Sequence, residues 1–313
     1  MFLTKDSFAK GAFLSSFGGI CWALSGTFGQ YLFEVGGFDA IWLTTVRLLA
    51  AGFIMLGVSL IKNGKATFDI WKDKRDIFEI IVYGLLGMAG VQITYFGCIQ
   101  FSNAATGTII QYIGSVVIVL YVALRAFRLP ARSEVAALIL AIGGLFILST
   151  HGDIHTLVFS EKALIIGLVS ACLMAFYSLQ PRRMLKKFDT LRVNGWGMML
   201  GGILMFFIRQ PWELGGGTLD LKCVLATVGV VLLGTIMSFF CYMEGVRIIG
   251  SDLAVLYAAV EPLTAAVVGI LWFHIPWGFM DWIGAAMIVS TVFIISLAPR
   301  WANKKAITKE GVS

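Results

Sequence analysis

Long apolar runs separated by short polar connectors make up nearly the whole chain. Ten such runs can be drawn. The first five are Gly11 to Phe33, Ala40 to Ile61, Ile77 to Phe101, Ala104 to Ala126 and Val135 to Thr150. The second five are Ala163 to Gln180, Val193 to Ile208, Cys223 to Gly245, Leu253 to Phe273 and Phe279 to Leu297. About 20 apolar residues in a helix cross a hydrocarbon core of about 30 Å. Lipid offers no hydrogen bonds to the backbone, so each run is predicted to be a helix that pairs its own N–H and C=O groups. The first run exceeds the apolar stretch of a signal peptide, about 7–15 residues. It reads as a membrane helix retained in the mature chain.

Composition agrees. Of 313 residues, 58% are apolar and only 13% are charged, against roughly 45–50% and 25% in soluble domains. The charges also carry topology. Lys5, Lys10, Lys62, Lys65, Lys72, Lys74, Arg75, Arg125, Arg128, Arg132, Arg182, Arg183, Lys186, Lys187, Arg192, Arg247, Arg300, Lys304, Lys305 and Lys309 fall on one side of the ten-span map. Only Lys162, Arg209 and Lys222 fall on the other, and Arg47 lies inside the second span. Basic residues stay on the cytoplasmic side, so both termini are expected there, with an even number of spans. The net charge of +6 is then a product of topology, and no nucleic-acid partner is expected. A multi-pass protein of the plasma membrane is expected, and the short connectors suit a bacterial inner membrane.

Catalytic and metal chemistry find little support. Cys21, Cys98, Cys172, Cys223 and Cys241 are scattered, without a CxxC pair, so neither a disulfide framework nor a zinc site is expected. His151 and His155 are four apart, but in a polar connector that does not hold both on one face. No GxxxxGK[ST], DDxxD-like or HExxH pattern occurs, which argues against a nucleotide-driven motor and a metal-dependent membrane enzyme. No cofactor is expected. A channel or a structural membrane protein is a further alternative.

The two halves align on each other. A shift of 147 residues pairs Leu86-Gly87 with Leu233-Gly234, Tyr95 with Tyr242, Leu124 with Leu271, Phe146-Ile147 with Phe293-Ile294, and Ser149 with Ser296. No gap is needed over three spans. Each half has five spans, so the second copy must enter the membrane inverted, a plan that recurs in secondary transporters with the substrate site between the copies. The expected architecture is all-α, with ten transmembrane helices in two inverted five-helix repeats. The expected organisation is a first repeat over 1–150, a second over 151–300 and a basic cytoplasmic tail over 301–313.

Trp22-Ala23-Leu24, Arg47, Glu261-Pro262-Leu263-Thr264-Ala265-Ala266 and Trp282-Ile283-Gly284-Ala285-Ala286 make the chain similar to the ten-helix EamA-type members of the drug/metabolite transporter superfamily. The resemblance covers about residues 10 to 298. It implies export or uptake of amino acids or related metabolites. Family members often carry a glutamate just after the fourth and ninth spans, where this chain has Arg128 and Ile275. Pro262 has no first-half partner, since Ser115 stands at the matching place.

Charge inside a bilayer marks function by default. Arg47 and Glu261 lie roughly 10 and 12 Å inside their spans at 1.5 Å per residue, one in each repeat, and are expected to face one cavity. Arg47 would hold an anionic group; Glu261 would bind an amine or carry a coupling proton. Alternatively Arg47 snorkels or pairs permanently with Glu261, and Glu261 steadies the kink at Pro262. Further candidates are Gln111 and Tyr112, which share a face of span four with Thr108 and Ser115 at i, i+3, i+4 and i+7. Gln92 and Tyr95 share a face of span three, Trp22 lies on span one, and Tyr257 one turn before Glu261. The expected function is a secondary transporter of a small metabolite, an exporter working by alternating access. A nucleotide-sugar or phosphate-ester carrier is the alternative, disfavoured because a phosphate wants several cations and the spans offer one. The expected partners are a small-molecule substrate, membrane lipid and protons, with the protein acting as a monomer or homodimer.

Overall fold

A computed structural model describes residues 5–125, 127, 129, 131–151, 153, 158–249 and 251–310. Arg128, Pro130 and His155 lie outside these residues, as does the end of the basic tail. No strand is present among the described residues.

The helices are α1 (Lys5–Glu34), α2 (Ala40–Asn63), α3 (Lys74–Val82), α4 (Val91–Gln100), α5 (Ala104–Tyr112), α6 (Gly114–Arg125), α7 (Arg132–Thr150) and α8 (Glu161–Leu179). After them come α9 (Met184–Lys187), α10 (Thr190–Ile208), α11 (Leu221–Val231), α12 (Ser238–Ile249), α13 (Ser251–Ala258), α14 (Val260–Phe273) and α15 (Phe279–Glu310). Among the described residues, eight helical stretches are long and apolar enough to cross a membrane: Ala40–Trp71, Lys74–Gln100, Ala104–Arg125, Arg132–Thr150, Glu161–Lys187, Thr190–Ile208, Leu221–Val246 and Leu256–Phe273. The 30-residue α1 is not among them, because serine, glycine and tryptophan dilute its apolar character. Phe279–Ile295 is apolar but shorter.

Helix starts follow from capping chemistry. Asp39, Asp73, Asn103, Ser160, Asp189 and Asp220 each place a side-chain oxygen on a free N–H of the first turn, satisfying donors that the helix cannot. The Cys223 N–H also holds the Asp220 carboxyl below the usual carboxylate range. Asp73 and Asp220 are separated by the same shift that aligns the halves.

Two irregularities interrupt the spans. Tyr83–Gly90 and Leu232–Met237 are wound as π-helix, a form that concentrates at functional sites. At the 147-residue shift the second falls within the first. Two of the apolar runs drawn from the sequence are each split, at Ile113 between α5 and α6 and at Ala259 between α13 and α14. Pro262 explains the second split. It has no N–H for the Ala258 carbonyl, and its ring crowds that turn.

Packing joins the halves closely. α2 runs along α10, α7 along α15, α1 along α12, and α4 along α8. Glycines permit the contact. A Cβ on Gly84 would lie 2.7 Å from that of Leu200, and one on Gly52 would lie 2.7 Å from the Met199 backbone N.

The connectors carry structure of their own. After Asn63, Gly64–Trp71 forms 3-10 turns that bury Ile70. There the Trp196 indole donates to the Thr67 carbonyl at 2.9 Å. The basic segment after the last span continues α15 as far as Glu310.

Candidate functional site

Arg47 is 3% exposed, deep in α2. Its Nε donates to Thr235 Oγ1 at 2.8 Å, and its Nη2 to the Gly234 carbonyl at 2.9 Å. Both acceptors belong to the π segment Leu232–Met237, where Thr235 Oγ1 reaches back to the Val230 carbonyl. The Phe96 ring centroid lies 5.2 Å from the guanidinium carbon, within cation–π range. Nη1 has no hydrogen-bond partner among the described residues.

Glu261 is 8% exposed, in the first turn of α14. That helix terminus favours negative charge. The Tyr112 hydroxyl lies 3.1 Å from Glu261 Oε2 and 3.2 Å from the Ala258 carbonyl. That carbonyl is the one Pro262 leaves without a helical donor. One hydroxyl proton therefore serves two acceptors. Oε1 of Glu261 has no hydrogen-bond partner among the described residues. Arg47 and Glu261 feel each other's charge but form no ion pair within 4.0 Å among the described residues.

Three further tyrosines join Tyr112 in this interior. Tyr95 donates to or accepts from Thr108 at 2.9 Å, and it lies within electrostatic range of both Arg47 and Glu261. Tyr112 and Tyr242 interact with Glu261, and Tyr177 with Arg47. Trp22 packs at 5.1 Å on Tyr242 and 5.5 Å on Phe239. Gln92, one turn before Phe96, is 8% exposed and has no hydrogen-bond partner among the described residues.

The structure thus gathers Arg47, Tyr95, Tyr112 and Glu261, with Trp22 joined through Tyr242 and Gln92 on the face of Phe96. Gln111 instead turns to α8, donating to Ser170 Oγ at 2.9 Å. Tyr257 packs its ring on Phe8 at 6.1 Å, because the break at Ala259 removes the i, i+4 relation to Glu261. Thr108, Gln111, Tyr112 and Ser115 do not share one target, since the helix ends between them. Sequence reasoning missed Thr235, Tyr177 and Tyr242. Tyr242 was within reach, since the 147-residue shift sets it against Tyr95.

Ion pairs close one end of the interface between the halves. Asp76, wholly buried, pairs with Arg183 and Lys187, and Glu79 pairs with Arg183 at 2.8 Å. At the other end, Arg209 pairs with Asp39 at 2.7 Å, and the Trp42 indole donates to the Pro211 carbonyl at 2.8 Å. Among the described residues no group of three metal-ligating side chains occurs.

Comparison with known proteins gives a consistent picture. The profile of the EamA-like transporter family matches residues 9–150 and again residues 161–297. A relative from Salmonella typhimurium, described as the uncharacterized inner membrane transporter YicL, is 33% identical over 284 residues, covering 90% of this chain and 93% of the relative. An uncharacterized transporter of Archaeoglobus fulgidus is 25% identical over 271 residues, covering 87% and 92%. A crystal structure with a TM-score of 0.62 spans 96% of this chain and 99% of its own at 17% identity, a likeness of fold alone.

Proposed function

The chain belongs to the EamA-like transporter family, and from that premise we propose a secondary transporter that exports a small metabolite, an amino acid or related compound, by alternating access. The observation that carries this is the pairing of two buried, oppositely charged side chains, Arg47 and Glu261, in one aromatic interior without an ion pair between them. A structural pair would close on itself, whereas here Arg47 bonds Thr235 and Gly234, and Glu261 bonds Tyr112.

The architecture proposed is ten spans in two inverted repeats, 1–150 and 151–300, with both termini cytoplasmic. The family profile matches twice, and the π segments and helix breaks fall in equivalent places. Helix pairing also supports it. The second span packs on the seventh, the fifth on the tenth, the first on the eighth and the third on the sixth, a pattern unchanged when the halves are exchanged. Rocking of one repeat against the other would then expose the site to each side in turn. The bacterial inner membrane is the proposed location, in keeping with the Salmonella relative, and protons are the proposed coupling ion. Arg47, Glu261, Trp22, Gln92, Tyr95 and Tyr112 are the proposed site residues. Gln111 and Tyr257 stand at its margin.

Reconstitution in liposomes tests the function. Gradient-driven flux of labelled phenylalanine is expected, together with loss of flux in Glu261→Gln and Arg47→Ala. Wild-type flux by both folded variants overturns the site, and flux that continues as a steady conductance overturns alternating access.

A further inference from the structure

The two charges of the interior are unequally satisfied, and the difference selects a substrate class. Arg47 has two of its three nitrogens committed to Thr235 Oγ1 and the Gly234 carbonyl, and an aromatic face beside its guanidinium. Those electron-rich groups already answer most of its positive charge. Glu261 has one donor, the Tyr112 hydroxyl, and shares it with the Ala258 carbonyl. A carboxylate has about four lone-pair sites, and a buried charge left short of partners is costly. The unmet demand of this interior is therefore for a cation with several N–H donors.

The surroundings fit such a cation. Tyr95 and Tyr242 lie within electrostatic range of Glu261, and Trp22 packs tilted against Tyr242, with centroids 5.1 Å apart. Ring faces attract ammonium groups and accept an apolar body. An anion entering the same space would find the free Nη1 group of Arg47 and a carboxylate that repels it.

We propose that Glu261 is the recognition point for a primary ammonium group carried on an apolar, aromatic-sized body, and that Arg47 serves mainly to position the π segment and α2 rather than to hold a substrate carboxylate. The inference rests on the transporter reading for its role, but its test is a binding measurement that does not depend on flux.

Calorimetric titration of the full-length protein in detergent with three probes of one ring and different charge decides it: phenethylamine, phenylalanine and phenylacetate. Phenethylamine is expected to bind, phenylalanine to compete with it, and phenylacetate to leave it undisturbed. Glu261→Gln is expected to weaken phenethylamine by about tenfold or more, since a charge-assisted pair is lost, and Glu261→Asp to weaken it less. Thermal melts of both variants within a few degrees of wild type exclude misfolding as the cause. Undiminished phenethylamine binding by Glu261→Gln overturns the inference. So does phenylacetate binding as tight as that of phenethylamine, or no phenethylamine binding by the wild type. Phenylalanine flux in liposomes with no amine binding would sink this inference and leave the transporter standing. Amine binding without flux of any probe would do the reverse.

Discussion

The bond from Arg47 to Thr235 gives a measurable test of how the halves are held. Thr235→Val keeps the shape and removes the Nε acceptor, which lies at 2.8 Å between two residues 3% and 0% exposed. Hydrogen bonds to charged groups contribute about 1.5–3 kcal/mol in soluble proteins, whereas side-chain bonds in membrane bundles average about 0.6, with a maximum near 1.7 kcal/mol. The guanidinium keeps the Gly234 carbonyl and the Phe96 face after the change, so the lower scale governs with the charge placing the bond near its top. A coupling of about 1–1.7 kcal/mol is expected, from a fewfold to somewhat over tenfold in the unfolding equilibrium. Thr235→Val also loses the bond to the Val230 carbonyl, so the single substitution overstates the pair. A double-mutant cycle with Arg47→Met removes that part. Reversible unfolding in mixed SDS and maltoside micelles, followed by far-UV circular dichroism, reads all four proteins. A coupling below about 0.5 kcal/mol, the scatter of independent sites, would refute the arrangement of α2 against the π segment.

Three other outcomes follow from contacts nearby. Gly234→Ala would put a Cβ 2.1 Å from the Ser25 side chain, so a loss of about 1–3 kcal/mol from overpacking is expected; adding Ser25→Gly should restore part of it, and no restoration would place the strain elsewhere. Pro262→Ala returns a donor to the Ala258 carbonyl and mends the break. The unfolding midpoint should hold or rise while liposome flux falls, and unchanged flux would show that the break does not serve transport. Asp76→Asn leaves Arg183 and Lys187 without their buried carboxylate. Those partners are 36% and 49% exposed, so about 1–2 kcal/mol is expected rather than the 3–5 of a sealed pair. The gap should narrow in 1 M salt, where the screening length is about 3 Å.

Spans were the most legible part of the chain because one solvent rule writes them over 20 residues at a time. Their ends were less so. Ile70 and Trp71 are apolar but too few to register as a span, and it is packing against α2, α3 and the Trp196 ring of α10 that makes burying them favourable. The charged pair was legible for the same reason as the spans, since Arg47 and Glu261 stand out where charge is expensive. Tyr257 was misplaced by an argument that assumed an unbroken helix, though Pro262 already warned against it. Thr235 was invisible because its role depends on π winding, and six residues of Leu-Leu-Gly-Thr-Ile-Met carry no pattern that distinguishes π from α.

The backbone irregularities and the polar side chains account for each other. The break before Pro262 frees the Ala258 carbonyl at a depth where no water replaces the lost donor. That carbonyl is met by Tyr112 of the first half, and the Gly234 carbonyl accepts from Arg47 of the first half as well as from Ser238 of its own. Hydroxyls of the second half serve part of the π segment, Ser238 reaching Gly234 and Thr235 reaching Val230, and the first half supplies Arg47 and Tyr112. The two contacts differ in how readily they yield. Arg47 grips a carbonyl and a hydroxyl with separate nitrogens, and releasing it would strand a charge. Tyr112 has one proton and two acceptors at 3.1 and 3.2 Å, so a shift of a few tenths of an ångström passes the bond from one to the other at little cost. A cation arriving at Glu261 would take over the carboxylate and leave the hydroxyl to Ala258, coupling occupancy of the site to the hydrogen bond that holds the broken helix.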